Sequence, residues 1–157
     1  MRISVLAIGQ KQPAWADAAV NDFLGRFPAD FKVELRELKA EPRSSGADAG
    51  RKSRAAEAVR LRAALTPGST VIALDERGRD CSTVEFAKLF ERWRSDGESV
   101  SFVIGGPDGL DDEFKRQAAW QMRLSSLTLP HALARVVLVE QIYRAWSILA
   151  RHPYHRA

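Results

Sequence analysis

Residues 101–109 read Ser101-Phe102-Val103-Ile104-Gly105-Gly106-Pro107-Asp108-Gly109, a short apolar run that ends at once in a glycine-rich turn. A run without polar alternation is what a strand shows when both of its faces are covered, as in a parallel sheet flanked by helices. Two other runs have the same character: Ile3-Ser4-Val5-Leu6-Ala7-Ile8, closed by Gly9, and Thr70-Val71-Ile72-Ala73-Leu74. Phe31, Val33 and Leu35 alternate with Lys32, Glu34 and Arg36, the period of a half-buried strand. Helical patterns lie between the strands. Pro13 opens one in which Trp15, Ala19, Phe23, Leu24 and Phe27 share a face, and a second covers about Arg51–Leu65 before Pro67-Gly68. Ser82 and Glu85 have the spacing of a capping box and start a third, which runs to about Arg94. A short helix over Asp112–Ala119, a last strand over Leu124–Leu129 and a long helix over about Ala132–Ala150 complete the chain. Strands alternating with helices predict an α/β fold with a parallel sheet, in a single domain over residues 1–157. Lys39–Gly50, with Pro42, Ser44, Ser45 and Gly46, reads as a mobile loop.

The chain has 157 residues, is 45% hydrophobic and 28% charged, and carries a formal charge of +4, which excludes wholesale disorder. The positive charge is local. Residues 114–157 hold seven basic groups against one acid, Glu140, and all three histidines; residues 1–113 are slightly acidic. A local basic excess predicts an anionic partner. Cys81 is the only cysteine, which rules out an intramolecular disulfide and a cysteine zinc cluster. No apolar run approaches the length of a membrane helix, and Met1–Gly9 reads as a strand rather than a leader, so the expectation is a soluble cytoplasmic protein without membrane contact.

In a parallel α/β sheet, ligands bind beyond the carboxyl ends of the strands. That rule selects Leu74-Asp75-Glu76-Arg77-Gly78, Gly105–Gly109 and Leu129-Pro130-His131. The glycine loop has neither the dinucleotide nor the P-loop spacing; it offers a backbone that a flat ligand can approach closely. On the last helix, Glu140, Arg144, Ser147 and Arg151 form one narrow polar stripe and nearly every other position is apolar. Such a helix needs cover on almost all sides, which predicts a homodimer with this helix near the interface. By spacing alone Glu140 and Arg144 are an ordinary i,i+4 pair; facing a site, Arg144 becomes a positioned cation. The tail Arg151-His152-Pro153-Tyr154-His155-Arg156 reads either as a disordered basic end or as a clamp ordering on RNA, with Tyr154 stacking on a base. Pro153 separates its two histidines, so no metal site is expected.

Leu124-Ser125-Ser126-Leu127-Thr128-Leu129-Pro130-His131-Ala132-Leu133-Ala134-Arg135, Glu140-Gln141-Ile142-Tyr143-Arg144-Ala145 and His152-Pro153-Tyr154-His155 together resemble the ribosomal RNA large subunit methyltransferase H family, small SPOUT-class methyltransferases. Leu6-Ala7-Ile8-Gly9, Leu74–Gly78 and Ile104-Gly105-Gly106 fit as well, so the resemblance spans the chain. It implies a parallel-sheet fold with a C-terminal trefoil knot over about residues 71–157, a feature that connectivity rules alone disfavour. It further implies a homodimer that uses S-adenosyl-L-methionine to methylate N3 of a pseudouridine in 23S rRNA, on the assembled ribosome at the subunit interface. The cofactor residues it implies are Leu74, Gly105, Leu124, Ser125, Ser126, Leu127, Thr128 and Leu129. Arg144, Tyr154, His152 and Arg156 are expected at the chemistry, and Arg151, His155 and His131 on the RNA. The pseudouridine N3 attacks well only as an anion, which a guanidinium at Arg144 would favour, with His152 or His155 as proton acceptor. Two rival expectations are an idle RNA-binding module and the same chemistry on transfer RNA.

Overall fold

The structure, a computed structural model, describes residues 1–42 and 45–156; Ser44 of the expected loop and Ala157 of the tail lie outside the described residues. The strands are β1 (Arg2–Ile8), β2 (Lys32–Leu38), β3 (Thr70–Arg79), β4 (Val100–Ile104) and β5 (Trp120–Met122). They form one five-stranded sheet in the order β2-β1-β4-β3-β5, with every pairing parallel. The helices are α1 (Ala14–Leu24), α2 (Ala49–Ala64), α3 (Thr83–Ser95), α4 (Asp112–Gln117) and α5 (His131–Leu149). A 3₁₀ turn over Pro153–His155 follows.

Both faces of the sheet are covered, which is why its central strands are mostly apolar, with Ser4 and Ser101 buried among them. Side chains alternate across a strand: Ile3, Val5 and Ala7 of β1 pack with Phe86, Phe90 and Trp93 of α3 and with Leu138 and Ile142 of α5. Leu6 and Ile8 point the other way, onto Ala58 and Leu61 of α2 and Phe114 of α4. Ser82 and Glu85 make the reciprocal capping box their spacing predicts, at 3.2 and 2.8 Å. Helix ends shift by a few residues: α1 stops at Leu24 instead of reaching Phe27, and α2 starts at Ala49.

One expected element is corrected. Leu124–Leu129 is not a strand; the last strand is the three-residue β5, which pairs with β3 through Ile72 and Trp120, Ala73 and Gln121, and Leu74 and Met122. Residues 124–130 run on as an irregular segment, with Leu127 75% exposed. The leucines that suggest a strand here, Leu124, Leu127 and Leu129, line a cleft instead of pairing in the sheet. Strand β3 is also longer than expected and keeps contact with β5 as far as Arg79 across an irregularity. Gly78 makes that possible: a Cβ on it would lie 2.6 Å from the carbonyl carbon of Met122.

Candidate active site

At the carboxyl ends of β3 and β4 lies a cleft of about 680 Å³, within the size range of small-molecule sites. Its walls come from Leu74 to Arg77 in the second half of β3, from Ile104 to Leu110 at and after the end of β4, and from the stretch between Met122 and His131 after β5, together with Arg54 of α2, Asp112 and Lys115 of α4 and Ala134 of α5. Of the expected cofactor residues, Leu74, Gly105, Leu124, Ser125, Leu127, Thr128 and Leu129 line it; Ser126 is exposed and does not. Gly105 is required by close approach, since a Cβ there would meet the backbone of Gly109 at 2.7 Å. Gly109 holds the turn with φ +81°, a left-handed conformation that glycine takes without cost.

The cleft's charges are mostly paired. Lys115 of α4 donates to Asp75 at 2.8 Å. Burial opposes ionisation of Asp75, but the Lys115 ammonium and the Arg77 backbone N–H outweigh it and hold the carboxyl below its usual range. Behind the glycine turn, Glu57 of α2 is buried and accepts the Glu41 backbone N–H at 3.0 Å. Burial pushes this carboxyl up, against that hydrogen bond.

His131, expected on the RNA, stands in the cleft wall. Its Nε2 accepts from Arg135 Nε at 2.8 Å, and the ring has a backbone hydrogen bond with Gly105. Burial first, then the Arg135 guanidinium, lowers its pKa, so the imidazole is neutral at pH 7. Arg135 itself is 1% exposed. It donates to Glu37 of β2 and to the Gly9 carbonyl, each at 2.5 Å, and so ties the start of α5 to the ends of β1 and β2.

The other expected residues gather at the far end of α5. Arg144 donates to Glu140 Oε1 through Nε at 3.0 Å and Nη2 at 2.7 Å. The Tyr154 hydroxyl donates to the same oxygen at 2.9 Å, and the Arg144 guanidinium lies 5.0 Å from the Tyr154 ring centre. Burial and the Glu140 carboxylate raise the Tyr154 pKa, which keeps the phenol protonated as a donor. Gln141 donates to the second Glu140 oxygen at 2.8 Å and accepts from Thr83 at 2.9 Å. Spacing alone shows Glu140 as a helical pair; the structure makes it the acceptor that holds a cation and a phenol side by side.

The tail is ordered against α5. Arg151 takes φ +54°, the only non-glycine left-handed residue among those described, and reverses the chain so that the His152 N–H reaches the Ser147 carbonyl at 2.8 Å. The tail then stacks: Tyr154 packs edge-on against Tyr143 with centres 4.7 Å apart, and His152 lies 5.5 Å from Trp146. His152 Nδ1 accepts the Tyr154 N–H at 3.3 Å, whereas the buried Nδ1 of His155 has no hydrogen-bond partner among the described residues. Arg151 and Arg156 are exposed. Left-handed backbone costs a side-chain-bearing residue roughly 1 kcal/mol. Arg151→Gly is therefore expected to leave stability unchanged or raise it by up to about 1 kcal/mol in urea melts. A loss larger than that would mean the arginine side chain holds the turn.

The structure does not bring the two groups of residues together within one chain. None of Arg144, His152, Tyr154 or Arg156 lines the cleft. His131 opens α5 and Arg144 lies 13 residues further along it, about 20 Å away at 1.5 Å per residue. Among the described residues there is no helix long and apolar enough to cross a membrane and no cluster that could hold a metal ion.

The family model described as "Predicted SPOUT methyltransferase" matches residues 1–155. The chain is 52% identical to the ribosomal RNA large subunit methyltransferase H of Bordetella petrii over 157 residues, covering all of both chains. It is 48% identical to the protein of that name from Burkholderia vietnamiensis, again over the full length of both. Among solved structures, a probable methyltransferase from Bordetella pertussis aligns with TM-score 0.59 at 20% identity, covering 92% of this chain and 95% of that one. A probable methylase family protein from Haemophilus influenzae aligns with TM-score 0.60 at 15% identity, covering 99% and 70%. At these identities the two structures speak for the fold.

Proposed function

Because the chain belongs to the ribosomal RNA large subunit methyltransferase H family of SPOUT methyltransferases, we propose that it methylates N3 of a pseudouridine in 23S rRNA, using S-adenosyl-L-methionine, in the assembled cytoplasmic ribosome at the subunit interface. The observation that carries this reading is the cleft. The strand-end residues expected to hold the cofactor, Ser126 excepted, converge there from three separate parts of the chain.

The residues present fit the cofactor. Leu74, Ile104, Met122, Leu124 and Leu129 give apolar walls for a flat heterocycle, and the glycine turn offers backbone at close range. The acidic side chains of Asp75 and Glu76 and the basic side chains of Arg54 and Arg77 match a ligand that carries charges of both signs. S-adenosyl-L-methionine supplies an electrophilic methyl group when bound. The chain must then hold the RNA base in line with that group and favour its N3 anion. Arg144 favours the anion, because it is permanently charged and Glu140 fixes its plane. Tyr154 positions the base by stacking, and His152 or His155 accepts the N3 proton. Arg151 and Arg156 contact RNA phosphates, while His131 serves the cleft wall rather than the RNA.

The separation of Arg144 from the cleft supports a homodimer in which each cleft is completed by the partner's α5 and tail. Leu127, 75% exposed beside the cleft, and Leu133, 36% exposed on α5, are apolar side chains that a second copy would cover. The C-terminal trefoil knot over about residues 71–157, within a single domain over residues 1–157, belongs to the same reading.

Mass spectrometry of ribosomal RNA after incubation of unmodified ribosomes with the protein and labelled S-adenosyl-L-methionine tests it. The expected product is a single N3-methylated pseudouridine in 23S rRNA. Label found only in added transfer RNA would move the substrate. Absence of both label and cofactor binding would leave an idle RNA-binding module.

A further inference from the structure

Arg26 follows the end of α1, far in sequence from the basic C-terminal block. Its guanidinium nevertheless reaches the cluster at the far end of α5. The Arg26 Cζ lies 4.8 Å from the ring centre of Phe23, 5.7 Å from Tyr143 and 5.9 Å from Tyr154. Arg144 stands over the same Tyr154 ring at 5.0 Å. Two guanidiniums, one from just past the end of α1 and one from α5, thus come within 5.9 Å of the ring centre of a single tyrosine.

The attachment of Arg26 is one-sided. Nη2 and Nε donate to Asp22 at 2.8 and 3.5 Å, which fixes the plane of the group. No hydrogen bond occupies Nη1 among the described residues, and the side chain keeps 40% of its surface exposed. Asp22 is itself 61% exposed, so water screens the pair and the carboxylate neutralises the guanidinium only in part. A planar cation, held on aromatic faces with donors left over, is suited to a phosphate oxygen.

We propose that Arg26 is a substrate contact of the methyltransferase, binding an RNA phosphodiester next to the nucleotide that Tyr154 stacks against. The inference rests on the reading of this chain as an RNA methyltransferase and adds a residue just past α1 to a surface otherwise built from α5 and the tail. The competing role is a staple, in which Arg26 only glues α1 to α5 through the rings.

Binding of unmodified ribosomes, measured as a function of salt for the wild-type protein, Arg26→Met and Arg26→Lys, separates the two. Methionine keeps the apolar stem and loses the charge; lysine keeps the charge. For a phosphate contact, Arg26→Met weakens binding roughly fivefold to tenfold and lowers the slope of log affinity against log salt by about 0.7–1. Arg26→Lys then retains the wild-type slope, and both variants melt at the wild-type temperature. A wild-type slope in Arg26→Met overturns the assignment. So does a fall in melting temperature shared by both variants with no change in slope, which is the signature of the staple. If the wild-type protein neither binds nor methylates ribosomes, the enzyme reading falls first; if it does both and the slope is unmoved, only the role of Arg26 falls.

Discussion

Replacing Arg144 with alanine is expected to cut methyl transfer to 23S rRNA about a hundredfold to a thousandfold while leaving S-adenosyl-L-methionine binding nearly intact. The two parts of this result have different physical origins. On the proposed mechanism, cofactor affinity depends on the cleft at the strand ends, and Arg144 does not line it. On the same proposal, transfer depends on a preorganised cation beside the N3 anion, and such a group acts on charge that develops only as the reaction proceeds. Loss of the Glu140–Arg144 pair does not strand the carboxylate, because Glu140 keeps the Tyr154 hydroxyl and Gln141 as donors. Arg144→Lys should recover part of the lost rate, because the charge returns without the planar fork that Glu140 holds. Single-turnover methylation and calorimetric cofactor titration read the two parts separately. Full turnover by Arg144→Ala would remove Arg144 from the chemistry.

The second large effect falls on stability. Arg135→Ala is expected to destabilise the protein by about 3–5 kcal/mol, the range for breaking a buried charged pair from one side. For a chain of this length that corresponds to a fall in melting temperature of roughly 6–20 °C. Arg135 is 1% exposed and bonds to Glu37, to the Gly9 carbonyl and to His131, so one deletion leaves several acceptors without a donor. Because His131 lines the cleft, the same variant should also bind S-adenosyl-L-methionine more weakly in whatever fraction stays folded. A loss below about 1 kcal/mol in denaturant melts would show that water enters and replaces the guanidinium.

Much of the fold is legible in the sequence because burial on two faces leaves a plain mark. β1 and β4 are read from unbroken apolar runs, and α3 from its capping box. The misreading at Leu124–Leu129 has a physical cause: its leucines line a cleft, and a cleft wall is as rich in apolar side chains as a buried strand. The three-residue β5 is too short for any period to register. At the site, the strand-end rule finds the cleft loops from topology alone. Around Glu140, the pair with Arg144 is legible from i,i+4 spacing, but Tyr154 stays hidden because it joins them only after Arg151 turns the tail back. Arg135 is equally hidden, since an arginine in an apolar helix looks like any solvent-facing charge until Glu37 and Gly9 are found beside it.

Helix α5 begins at the cleft with His131 and carries Arg144 on its later turns, with no break between them. It therefore works as a ruler with a built-in phase. Losing one residue between His131 and Glu140 would shorten the spacing by only about 1.5 Å but swing everything beyond by about 100°. The Glu140 cluster, Tyr154 with it, would then turn away from Phe23 and Arg26 at the end of α1, and buried Ile142 would be carried out of the core. Substitutions along α5 can have graded effects, because each acts at its own contact. Changes of length cannot, since a single residue added or lost puts core packing and site out of register together.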